Sequence, residues 1–182
     1  MIEFVLFSLV FGGGLLFYSK QAEGALVEPE ASQENTYPTE TQGNSRDVEI
    51  LARTMWGEAR NEGTIGMQAV ANVVMNRLKK APRFGSSVAE VCLKPYQFSV
   101  WNKGDPNLAP MKNVTDADPR FREALELANR AVNGDLRDVT SGADHYLNIA
   151  FTMEIRGGSL PAWVDMTKQT ASIGQHTFLK LG

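Results

Sequence analysis

A single cysteine, Cys92, stands in a chain of 182 residues. It excludes an intrachain disulfide and any multi-cysteine zinc site. Histidine is nearly as scarce. His145 and His176 are the two in the chain, and no H-E-x-x-H motif holds either of them. Zinc would need a third ligand, and Asp144 or Cys92 would have to come close to both. Basic residues are not in excess: the formal net charge is -3, and from Asp47 onward acids and bases nearly balance. That balance excludes the basic face a nucleic-acid binder presents. A phosphate-cradling glycine loop, a G-x-S-x-G elbow and internal repeats are also absent. No cofactor is implied.

Long uncharged runs are confined to the N-terminus. Residues Phe4 to Tyr18 carry no charge, with Glu3 before and Lys20 after. The run is slightly shorter than the roughly 20 residues that span a bilayer. Gly12, Gly13 and Gly14 weaken it further, and Ala22-Glu23-Gly24 offers a small-x-small cleavage site. Residues 1–20 are therefore expected to be a hydrophobic helix acting as signal or signal-anchor. Residues 21–46 are polar and acidic, with Pro, Gly, Ser and Thr throughout. Such a segment buries too little apolar area to offset its ordering entropy, so a disordered acidic linker is expected. The folded domain is expected over 47–182, as a monomer.

Leu51 to Arg77 reads as two helices joined by a glycine-containing turn. Val48, Leu51, Ala52, Met55 and Ala59 follow the i, i+3, i+4, i+7 rhythm of a buried stripe. Ser45 or Asp47 is the expected cap of the first helix, and Thr64 that of the second. Glu58 lies three positions after Met55, on or beside the stripe. Desolvation there raises the pKa of a carboxyl, and the helix C-terminus pushes the same way. A carboxyl kept protonated near neutral pH can serve as a general acid. Spacing alone favours a helix-end glutamate that reaches solvent.

Further on, Ser87-Val88-Ala89-Glu90 fits a capping box. Tyr96 to Pro110 reads as a loop with a Gly-Asp-Pro turn. Asp118, Pro119 and Gly134 bracket a helix with an apolar face of Phe121, Ala124, Leu125, Ala128, Ala131 and Val132. Beyond Gly134, short strands are expected at His145–Ile149 and near Thr177–Leu179, with loops between. The fold class is α+β, mainly α, with a small late β-hairpin or sheet.

Five pieces in order, LARTMWGEARNEG with GMQAVANVVMNR, KPYQFSVWN, SGADHYLN, PAW and IGQHTF, resemble the cell wall hydrolases related to the catalytic domain of spore cortex-lytic enzymes, the SleB type. The resemblance implies a lysozyme- or lytic-transglycosylase-like fold and action on peptidoglycan, with Glu58 as the catalytic acid. It implies cleavage between N-acetylmuramic acid and N-acetylglucosamine by a single glutamate, the sugar's own C6 hydroxyl attacking. No peptidoglycan-binding repeat precedes the domain; the hydrophobic segment and linker stand there instead. A membrane-anchored or exported enzyme facing the wall, of bacterial or phage lysis type, is expected.

On that basis Gln97, Phe98, Ser99 and Trp101 are candidates to line a sugar cleft, with His145, Tyr146 and Trp163 beside them. Each aromatic has an alternative role in packing. Trp56 is expected in the core, and Asn76 and Arg77 are expected to buttress the end of the second helix. Glu62, Asp144, Glu154 and Asp165 are the candidates for a second acid, should one be needed. Two other classes stay open: a metal-dependent N-acetylmuramoyl-L-alanine amidase using the histidines, and a non-catalytic peptidoglycan-binding module.

Overall fold

The structure, a computed structural model, describes residues 41–182. The expected hydrophobic segment and most of the expected linker lie outside those residues. Among the described residues no helix is long and apolar enough to cross a membrane.

Helix α1 runs Thr41–Ala59, so the last six residues of the expected linker are helical. Ser45 and Asp47 therefore lie inside α1 rather than at its start. Residues 44–46 are exposed, so this early start buries little. Asp47 instead accepts the Ala89 N–H at 2.8 Å, at the start of α3 (Val88–Leu93). The apolar stripe behaves as its spacing requires: Val48, Leu51, Ala52, Met55 and Ala59 are all buried. Leu51 and Met55, fully enclosed, each contribute about 1.5–3 kcal/mol of burial free energy.

A 3-10 turn over Arg60–Glu62 links α1 to α2 (Gly63–Leu78). Thr64 does not cap α2. It lies one residue inside the helix, and its hydroxyl donates to Glu123 instead. Met67, Val70, Val73 and Val74 put α2 at the centre of the core. Ser87 caps α3 by accepting the Glu90 N–H at 3.1 Å, and Glu90 answers by accepting the Ser86 N–H. Asp118 caps α5 (Pro119–Val132) through the N–H groups of Arg120 and Phe121 at 2.8 and 3.0 Å. These are the local signals that the residue pattern carried. Trp56 is buried, with the Arg60 guanidinium 4.3 Å over its ring.

The segment read as a plain loop holds more order than expected: a 3-10 turn over Ser99–Trp101 and the short helix α4 (Leu108–Asn113). Beyond α5, strand β1 (His145–Leu147) runs into α6 (Ile149–Ile155), capped by Asn148 through the Phe151 N–H. Strands β2 (Gln169–Ile173) and β3 (His176–Leu179) follow. The sheet is antiparallel in the order β1-β3-β2, with Tyr146 paired to Phe178. All four residues of β3 are buried, as expected of a central strand. Asn76 and Arg77 anchor the chain leading to β1, donating to the carbonyls of Ala143 at 3.1 Å and Asp144 at 2.6 Å.

Candidate active site

Glu58 sits one residue from the C-terminus of α1, half-buried. Its carboxyl is held from two directions. Oε1 accepts the Val100 N–H at 3.1 Å and the Ser99 hydroxyl at 3.4 Å. Oε2 accepts the Tyr146 hydroxyl at 3.1 Å. The first pair comes from the 3-10 turn, the third from β1.

Gly57 is what lets the 3-10 turn approach. A Cβ there would fall 2.3 Å from Val100 Cγ2, inside any tolerable contact. Without a side chain at 57, Val100 packs on the helix backbone and its N–H reaches the next residue's carboxyl. Tyr146 arrives by strand alternation. Its ring is buried, stacked on Phe178 at 5.6 Å and edge-on to His176 at 5.0 Å, with only its hydroxyl on the acid.

Desolvation pushes the Glu58 pKa up and is the largest influence. Hydrogen bonds from Val100, Tyr146 and Ser99 pull it down, while the negative charge of Asp105 adds to the rise; the net is upward. Three donors stabilise the ionised form. The two hydroxyls can rotate to accept when the acid is protonated. With Oε1 committed to the Val100 N–H, the proton belongs on Oε2.

The cleft beside Glu58 is lined by Gly57, Arg60, Asn61, Glu62, Asn107, Asn148, Gln175 and His176. Arg60 is tied down by Asn107 Oδ1 at 2.8 Å and by the Trp56 and Gly57 carbonyls. A roomier depression near α3, around Phe84, Glu90 and Lys94, shares no residue with this cleft, so size alone does not mark the site.

The predicted cleft residues separate into four groups. Ser99 and Tyr146 touch Glu58 directly. Phe98 is buried, 5.0 Å beneath the Arg77 guanidinium, and offers no face to a sugar. Its role is packing. Trp101 is half-buried and donates Nε1–H to Thr54 at 2.9 Å, while Gln97 is half-buried beside it in sequence. His145 lies on the opposite face of β1 from Tyr146, with Trp163 at 5.5 Å and Phe84 at 6.1 Å. The strand pleat thus parts His145 and Trp163 from Glu58.

None of the proposed second acids stands free beside Glu58. Asp144 is buried and ionised far below the usual carboxylate range. Lys80, the ring of His145 and the backbone N–H groups of Leu181 and Gly182 surround it. Asp165 caps a 3-10 turn through the Thr167 N–H, and Glu154 is exposed on α6. Glu62 shares the cleft but accepts the Gln175 N–H at 3.0 Å. Sequence reasoning missed Asp105, which acts on both Glu58 and Arg60. Its Gly-Asp-Pro setting signalled only a turn. It also missed Asn107, Asn148, Gln175 and the placement of His176. Among the described residues no three His, Cys, Asp or Glu side chains are grouped to hold a metal ion.

A Cell Wall Hydrolase family model matches residues 61–179, beginning three residues after Glu58. A spore cortex-lytic enzyme of Halalkalibacterium halodurans is 29% identical over 135 residues, which is 74% of this chain and 35% of that protein. The spore cortex-lytic enzyme of Bacillus subtilis is 30% identical over 135 residues, covering 74% of this chain and 38% of that one. The chain thus spans well under half the length of these relatives. Among solved structures, the catalytic domain of the Bacillus cereus SleB protein superimposes with a TM-score of 0.55 at 25% identity. It covers 80% of this chain and 94% of that one. The catalytic domain of the germination-specific lytic transglycosylase SleB of Bacillus anthracis gives 0.53 at 26% identity, covering 81% and 100%.

Proposed function

The chain belongs to the cell wall hydrolase family, and from that premise we propose that it is a peptidoglycan-cleaving enzyme whose catalytic acid is Glu58, acting as a lytic transglycosylase. The observation that carries the reading is one carboxyl of raised pKa held by three donors in a cleft. Glu58, protonated on Oε2, gives its proton to the glycosidic oxygen between N-acetylmuramic acid and N-acetylglucosamine. The carboxylate that remains is stabilised by Val100, Ser99 and Tyr146, so it persists long enough to act as base. It takes the proton of the muramic C6 hydroxyl as that oxygen closes on C1, leaving a 1,6-anhydro end. The acid is then restored without a second carboxylate.

Product ends and two substitutions test this together. Glu58→Gln should lower cleavage of purified peptidoglycan by at least the roughly 10²–10⁴-fold that general acid–base catalysis supplies, with binding retained. Glu62→Gln should stay active, because Gln still accepts the Gln175 N–H. Mass spectrometry should find anhydro ends. Hydrated, reducing ends, lost in Asp105→Asn, would instead assign a two-carboxylate hydrolysis using Asp105. Near-normal cleavage by folded Glu58→Gln would refute the assignment.

Peptidoglycan lies beyond the cytoplasmic membrane, so the reading also requires export. Residues 1–20 are proposed to anchor or deliver the domain there. Fractionation that leaves the full chain in the cytoplasm would remove that part.

A further inference from the structure

His176 is 5% exposed, yet it lines the cleft beside Glu58. Its ring meets Tyr146 edge-on at 5.0 Å and Phe178 at 6.3 Å. Nδ1 is buried with no hydrogen-bond partner among the described residues. An unpaired buried polar atom costs about 1–3 kcal/mol, and an imidazolium would add a desolvated charge. Burial accordingly lowers the His176 pKa, outweighing the opposing influence of Glu62. Burial thus favours the neutral ring, and Nε2 is the nitrogen left to face the cleft. Orphaned buried N–H groups are rarer than unpaired acceptors. The proton therefore belongs on Nε2, where a ligand can accept it.

The wall that carries His176 is fixed in place. Glu62 accepts the Gln175 N–H and Asn148 donates to Gln175 Oε1, each at 3.0 Å. Gly174, at φ +57°, leaves room for this: a Cβ there would fall 1.8 Å from Glu62 Oε2. The β2–β3 turn is thus latched to the 3-10 turn after α1 and to the start of α6, and the imidazole is held against the cleft.

We propose that His176 is a substrate-binding residue whose neutral Nε2–H donates to the 2-acetamido carbonyl oxygen of the sugar beside the scissile bond. The inference rests on the reading that a glycan strand occupies this cleft. A neutral donor next to the Glu62 carboxylate does not select an anion, and Arg60, the cleft's cation, is already committed to Asn107, Trp56 and Gly57. An uncharged amide carbonyl, the strongest neutral acceptor on an N-acetylated sugar, suits a neutral donor beside a carboxylate better than an anion does.

The test uses the full chain carrying Glu58→Gln, which binds without turnover. It is titrated with a soluble tetrasaccharide of alternating N-acetylglucosamine and N-acetylmuramic acid and with its N-deacetylated counterpart. Adding His176→Phe, which keeps the aromatic packing, should weaken binding of the acetylated glycan by roughly 3- to 10-fold, the worth of one net hydrogen bond. It should leave the deacetylated glycan unaffected. Equal loss on both glycans, or none on either, overturns the proposal. Should His176→Phe fail to fold, the ¹⁵N signals of the imidazole in the Glu58→Gln protein decide: displacement of Nε2 by the acetylated glycan alone supports it, and unmoved signals overturn it. Selective binding by a protein whose wild type cuts no glycan would refute the catalytic reading and leave this subsite standing. No binding of either glycan refutes both.

Discussion

Removing the Tyr146 hydroxyl tests how the pKa of Glu58 is set. In Tyr146→Phe the ring keeps its stacking on Phe178 and its edge contact with His176, so the fold should survive. What is lost is the 3.1 Å hydrogen bond to Oε2, which favours the ionised carboxyl. A hydrogen bond to a charged group is worth about 1.5–3 kcal/mol, and about 1.4 kcal/mol corresponds to one pH unit. The Glu58 pKa, already raised by desolvation, should climb further by the difference between this bond and the neutral one the hydroxyl makes to the protonated acid, about 1 kcal/mol or somewhat under one pH unit. In the proposed role Glu58 donates a proton, so the alkaline limb of kcat/KM should move upward by that amount. The plateau should fall, because the carboxyl becomes a weaker acid. Stability carries the same signature. A carboxyl whose folded pKa lies above its unfolded value of about 4.3 binds more protons when folded. Its contribution is favourable at low pH and is lost as pH rises through the folded pKa. The deficit of Tyr146→Phe should therefore widen from acid toward neutral pH in urea titrations. An alkaline limb that stays put or moves down in a folded variant would refute this account of the site.

Two other substitutions probe the scaffold. Gly57→Ala should cost about 1–3 kcal/mol from the forced contact with Val100. By pushing the Val100 N–H off Oε1 it should also lower kcat more than it raises KM; wild-type kcat in a folded variant would show that the close approach is not needed. Asp144→Asn breaks the buried pairing with Lys80 and His145 and should cost about 3 kcal/mol at neutral pH, the low end for a buried pair because Lys80 still reaches water. The Asp144 pKa is depressed in the fold, so its stabilisation is present above the unfolded value of about 3.9 and fades as pH falls below it. The gap between variant and wild type should narrow in acid, and a gap of constant size would contradict the assignment.

The helical half of the fold was legible because its signals are local. The stripe of α1, the capping box at Ser87 and the bracket of Asp118, Pro119 and Gly134 each act within one helical turn. Signals that depended on composition were less sharp. The acidic linker and the start of α1 overlap because residues 44–46 are helical without being buried. Thr64 read as a cap because it follows Gly63, yet the 3-10 turn carries the chain into α2 before Thr64 is reached. The late sheet was expected, but β2, α6 and the cleft wall at Asn148, Gln175 and His176 were not. Nothing periodic announces them, and their placement depends on pairing β1 with β3 across some thirty residues.

The acid itself marks where local reading stops. Its position at the end of a buried stripe could be read from spacing, and so could the direction of its pKa. Desolvation is the chief cause, as the neighbouring Met55 suggested; the second upward influence is Asp105, which no helix-based argument reaches. The three donors are also remote in sequence: Ser99 and Val100 are 41 and 42 residues along the chain, and Tyr146 is 88. One of them is a backbone N–H that any residue but proline would supply, and the trace it leaves in the sequence is the glycine at 57 that admits it. A carboxyl at a helix end is here desolvated and held by three donors through tertiary contacts. Transplanting Trp56 to Arg60 into another helix would therefore carry the motif without its chemistry.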